Sequence, residues 1–198
     1  MKSNVKPLPF KSLTGISDKA ISIHHDKLYA GYVAKKSEIS DKLETLSHGA
    51  DLSSANQSYS ELRALKDGET FATNGVYLHE WYFDVLGGDG KPAGKIVDAL
   101  NKKYGSWENF AAYFSACGMA ARGWVVLCYD AHDKNLKIFT ADAHNQGGIW
   151  GCIPILVLDV YEHAYFLDFG ADRKAYIEAW WKNLDWKKID ERYSNLHG

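Results

Sequence analysis

The pair Gly87-Gly88, followed at once by Gly90 and Pro92, divides this chain into halves of different texture. Glycine takes the left-handed conformation that ends a helix without a Cβ penalty, and proline cannot continue one. The break sets a boundary between residues 1–90 and 91–198. Before it, Ile21, His24, Leu28 and Tyr32 recur at spacings of three and four, one stripe of an amphipathic helix from about Ser17 to Leu46. Ser17 and Asp18 supply capping oxygens at its start. The Ser/Asn-rich segment 48–58 reads as a loop. Tyr59–Leu65 reads as a short helix broken at Asp67-Gly68, and Phe71–Leu86 as a second long helix with the inner stripe Ala72, Gly75, His79, Tyr82, Phe83 and Leu86.

After the break, 91–104 and 106–121 read as helices. Trp124–Tyr129 and Leu136–Thr140 are β-rich runs joined by polar residues, which predicts an antiparallel hairpin. Ile153–Val160 is a third apolar run of strand length, and the tail from Glu162 to about Leu196 is helical. The expected class is α+β: a long antiparallel helical hairpin, then an α/β domain with a three-stranded antiparallel sheet.

Two histidines stand out of place. His24 and His79 sit on the inward stripes of successive helices, among aromatic and aliphatic residues. Either alone is the kind of histidine that a core satisfies with a hydrogen bond; two on packed helices can point into one interior site. Asp159 ends the apolar run Ile155–Leu158, where a carboxylate is costly unless it is paired, hydrogen-bonded or metal-bound. It could equally cap the helix that follows. His163 stands four positions on. Three imidazoles and one carboxylate suit a first-row transition metal rather than a thiolate-rich structural zinc site. A non-haem iron oxygenase fits less well, because such sites use two histidines and one carboxylate. His48, His132, His144 and His197 lie in polar contexts and read as solvated.

The remaining composition excludes other classes. With 23 Lys+Arg against 25 Asp+Glu the net charge is -2, which gives no electrostatic case for nucleic acid or an acidic membrane surface. No apolar run is long enough to span a bilayer, and the N-terminus has no secretory signal pattern. The three cysteines include no CxxC pair and read as reduced thiols. A cytoplasmic location is expected.

The segment Asp159-Val160-Tyr161-Glu162-His163-Ala164-Tyr165 resembles the D-x-W-E-H-A-Y signature of iron/manganese superoxide dismutases. His24 with Lys27 and Tyr32 resembles the first-helix pattern H-x-x-K-H-H-x-x-Y of that family, and Ala121-Arg122-Gly123-Trp124 resembles its G-S-G-W. The resemblance implies one Mn or Fe ion per subunit, held by His24, His79, Asp159 and His163 between the two domains. It implies dismutation of superoxide to oxygen and hydrogen peroxide. It assigns Gln146 to a hydrogen bond with metal-bound solvent and Tyr32 to the path toward bulk water. Trp124 and Tyr161 become walls of the site. Glu162 and Tyr165 become contacts of a homodimer, with a tetramer also open. A glutamine at 146, with Gly75 at the alternative position on the second helix, tilts the expectation toward manganese.

Three positions depart from the family pattern. Leu28 replaces a gateway histidine, Tyr161 replaces a tryptophan, and Tyr77-Leu78-His79 lacks the usual polar residue before the second ligand. Leu28 opens one alternative, a metal-binding relative with weak or lost dismutase activity.

Overall fold

A computed structural model describes residues 4–196. Ser17 caps the first helix, its Oγ accepting from the Ala20 N–H at 3.1 Å. That helix is α1 (Asp18–Ser22), and it runs on through a π-helical segment (Ile23–Tyr29) into α2 (Ala30–Ser47). The π segment explains a departure from the expected stripe. Its i→i+5 pairing brings residues five apart onto one face. His24 and Tyr29 are therefore both buried, and Leu28, expected inward, is only half-buried.

The second long helix, α3 (Glu61–Asp84), does not break at Asp67-Gly68. A Cβ on Gly68 would lie 3.2 Å from Ile39 Cδ1 of α2. This glycine brings two helices close together, and their packing offsets its propensity cost of about 1 kcal/mol. Helix α3 packs along α2 to form the expected hairpin.

Buried Asn183 holds the Gly87-Gly88 break with its backbone and Thr14 with its side chain. Its backbone carbonyl accepts from the N–H groups of Gly87 (2.9 Å) and Gly88 (3.0 Å). Its side chain accepts from Thr14 N–H at 2.7 Å and donates to the Thr14 carbonyl at 2.9 Å. A Cβ on Gly88 would stand 2.2 Å from the Leu184 carbonyl oxygen, so the crossing requires glycine.

Beyond it lie α4 (Lys95–Tyr104) and α5 (Trp107–Ala120), then β1 (Trp124–Asp130), β2 (Asn135–Ala141) and β3 (Cys152–Asp159). The sheet order is β2-β1-β3, antiparallel throughout, and the register sets Trp124 opposite both Ala141 and Asp159. The end of β3 is thereby held beside a tryptophan at one end of the sheet. The tail forms α6 (Glu162–Phe169), α7 (Arg173–Trp181) and α8 (Trp186–Ser194). One continuous apolar core runs from Ile16 through both halves to Ile189. His197 lies outside the described residues. Among those described, no helix is long and apolar enough to cross a membrane.

Candidate metal centre

Four elements converge on one buried point. His24 comes from the π segment, His79 from α3, Asp159 from the last position of β3, and His163 from the first turn of α6. One donor atom from each lies within 4.8 Å of the others. The Nε2 atoms of His24 and His163 each stand 3.1 Å from Asp159 Oδ2, and His79 Nε2 stands 3.7 Å from it. The other carboxylate oxygen, Oδ1, accepts from the Tyr161 N–H at 2.9 Å. Asp159 thus shapes the strand-to-helix turn with one oxygen and faces the histidines with the other.

The donor chemistry fits a metal ion. His79 Nδ1 donates to the Gly75 carbonyl at 2.6 Å, so Nε2 carries the lone pair. That Nε2 is buried and has no hydrogen-bond partner, although buried polar atoms are rarely left unmatched. Burial and the neighbouring His24 push His79 down to about 3, and burial also lowers His24 against the pull of Asp159. Both imidazoles are therefore neutral near pH 7, the state a metal requires. Burial alone would raise Asp159. The charge of His163 and the hydrogen bonds from His163 and His24 outweigh it and hold the carboxyl well below its ordinary range.

Aromatic rings enclose this point. Trp124 stands edge-on to His79 at 5.1 Å, and Tyr161 stacks on His163 at 5.2 Å. Tyr32 lies 5.3 Å from His79. Its ring occupies the space left by Gly75, where a Cβ would be 2.8 Å from Tyr32 Cδ1.

Two expected positions have surroundings that the sequence did not indicate. Gln146 is exposed. The buried polar residue of its loop is His144, two positions earlier and 3% exposed. His144 Nδ1 accepts from Trp124 Nε1 at 2.9 Å, and its ring meets Tyr32 edge-on at 4.6 Å. Burial pushes His144 down to about 4, so it is neutral and its remaining proton sits on Nε2. A histidine in an irregular loop has no periodicity to betray its burial. The available signal was Trp124, whose indole N–H needs an acceptor when buried. The manganese preference rested on Gln146 and loses that support.

Tyr165 is the second. It is 4% exposed, its hydroxyl accepts from Arg173 Nε at 3.2 Å, and its ring stacks on Tyr176. The fold consumes this side chain internally and leaves little of it for a second subunit. Glu162 is exposed, and the outward apolar residues of α6 are Phe166 and Leu167, 57% and 49% exposed.

Comparison with known proteins places the whole chain in one family. Residues 92–192 match the family described as iron/manganese superoxide dismutases, C-terminal domain. The chain is 41% identical to the iron superoxide dismutase of Aquifex pyrophilus, over 97% of this chain and 89% of that one. It is 37% identical to the iron enzyme of Cupriavidus metallidurans over 98% of both chains. It is 36% identical to superoxide dismutase [Mn] 1 of Halobacterium salinarum over 90% of this chain and 86% of that one. The chain belongs to the iron/manganese superoxide dismutase family.

The burial of these histidines has a consequence for the metal-free chain. His24, His79 and His144 have folded values below the ordinary 6.5, so the unfolded chain binds their protons first as the pH falls. Stability must then decline on acidification below about 6.5. His163 acts in the opposite sense, because its folded value is raised by Asp159 despite burial. Its contribution is full below about 6.5 and is lost as the pH rises through the folded value. Three depressed groups outweigh one raised. The urea midpoint of metal-free protein should fall steadily from pH 6.5 to 4; a level profile would contradict the assigned burial.

Proposed function

We propose that this chain is a superoxide dismutase whose single manganese or iron ion is held by His24, His79, Asp159 and His163. The observation that carries the reading is the unpartnered, buried lone pair of His79 Nε2, aimed at a point shared with two imidazoles and a carboxylate. Bound there, the ion supplies one-electron exchange with superoxide. The overall reaction converts two superoxide anions and two protons to oxygen and hydrogen peroxide, so the protein must bring protons into a small, dry site.

The surrounding residues suit that task. Burial raises the Tyr32 phenol above its ordinary value, and it stays protonated as a donor. His144 keeps a proton on Nε2 because Trp124 occupies Nδ1. Tyr161, pushed up to about 12 mainly by burial, is neutral and donates to the Asp142 carbonyl at 3.3 Å. With Trp124, these rings limit the site to a small substrate. Leu28 lies half-buried and leaves the four donors in place, so a metal holder without turnover finds no support.

The units 1–90 and 91–198 each supply half of the donor set. The free thiols Cys117, Cys128 and Cys152 suit the reducing cytoplasm. Elemental analysis paired with a superoxide assay tests the reading. The expected result is about one Mn or Fe per chain and turnover far above that of the free ion. A fully loaded protein without such turnover would overturn it.

The chain works as at least a dimer in this reading. Exposed Glu162 lies beside His163, whose side chain keeps 25% of its surface, and Phe166 and Leu167 add apolar area. Glu162→Ala should weaken assembly and metal retention together, read by sedimentation and metal content. Unchanged values for both would refute the contact.

A further inference from the structure

One residue of the extended N-terminal segment, Lys6, is gripped by both helices that carry inward histidines. Its backbone N–H donates to the Tyr29 hydroxyl at 3.1 Å. Its carbonyl is 2.8 Å from His25 Nε2. Its ammonium bonds Glu80 Oε2. Tyr29 completes the ring by donating to Glu80 Oε1 at 3.0 Å. His25 and Tyr29 belong to the π segment, next to His24, and Glu80 follows His79 on α3.

This ring reaches the metal centre through two contacts. Tyr29 lies nearly parallel to the His79 ring, with centroids 6.2 Å apart and planes 24° apart. Phe83 is shared between the layers, 5.0 Å from His24 and 5.3 Å from His25. Few backbone bonds can fix the π segment against α3, because each helix satisfies its own. Side chains must set their separation, and Tyr29–Glu80 is a direct cross-helix bond close to the two histidines.

We propose that Lys6, Tyr29 and Glu80 form a latch that positions His79 relative to His24, and so sets how tightly and in what geometry the ion is held. This rests on the metal-holding reading above. The three are positioning residues and touch neither substrate nor ion. Lys6 fixes the Glu80 carboxylate, Glu80 fixes the Tyr29 hydroxyl, and Tyr29 fixes the face of the His79 ring. Tyr29 meets His79 by ring stacking and not by a hydrogen bond, so the expected effect is smaller than the about 10- to 100-fold seen on removing a hydrogen-bonded outer partner of a metal-bound histidine.

The test uses the full chain loaded with manganese, as parent, Lys6→Met, Tyr29→Phe and Glu80→Gln. Three quantities are read: the rate of manganese release into excess chelator, the electron paramagnetic resonance spectrum of the divalent form, and the melting temperature of metal-free protein. The latch requires faster release in Tyr29→Phe and Glu80→Gln than in the parent, with an altered spectrum. Lys6→Met, which keeps both backbone contacts, should show a smaller change of the same kind. Parental release rates and spectra in the variants overturn the latch, even if their melting temperatures fall, because a purely structural role would move only the latter. Should Glu80→Gln fail to fold, Tyr29→Phe, which retains the packed ring, decides the matter. A parent that holds no manganese or iron overturns the metal reading itself, and the latch with it.

Discussion

Asp159→Ala is expected to strip the chain of its metal and its turnover together while leaving it folded. The carboxylate is the sole anionic donor among three imidazoles and is fully buried, so no solvent oxygen replaces it at the same point. Its loss also frees the Tyr161 N–H, which anchors the turn into α6, and so loosens His163. Loss of a ligand should exceed the roughly 100-fold penalty at the upper end for losing an outer partner. Metal content should fall well below one per chain at micromolar metal, and superoxide turnover should fall in proportion. The metal-free fold loses one buried charge that interacts favourably with His163, alongside a turn bond worth about 1 kcal/mol. Far-ultraviolet circular dichroism should therefore stay close to that of the parent. An Asp159→Ala protein that retained one ion per chain would remove this residue from the centre.

Three of the four proposed donors stand out in the sequence because regular structure makes a polar residue conspicuous there, whereas His163 is marked only by its place four positions after Asp159. His24 and His79 interrupt apolar helical stripes, and Asp159 ends an apolar strand. What the sequence hid was set by departures from regularity. A 3.6-residue period turns Leu28 inward, but the π segment gives that face to Tyr29. Gly68 looks like a helix breaker until Ile39 is found against it. His144 lies in an irregular loop with no period at all, so nothing in its spacing marks it as buried. Tyr165 and Phe166 are adjacent on α6 and face opposite ways. Only the orientation of that helix on the core, fixed in part by Arg173 reaching Tyr165, decides which ring is outward.

His144 supplies the sharpest separation between the residue expected from sequence and the one found in place. Gln146→Ala should leave turnover and stability near the parental values, because that residue is exposed. His144→Phe should do neither. It fills a similar volume but offers no acceptor, so the Trp124 indole N–H is left buried and unmatched at a cost of about 1–3 kcal/mol. The same change replaces the imidazole that meets Tyr32 edge-on, and turnover should drop with it. His144→Gln can restore an acceptor toward Trp124 and should recover much of the lost stability. His144 stays neutral until about pH 4, so the deficit of His144→Phe should be constant between pH 6 and 9 rather than titrate within it. Urea unfolding and superoxide turnover across that range check these points. Equal deficits in Gln146→Ala and His144→Phe would mean that the loop adopts another arrangement around the ion.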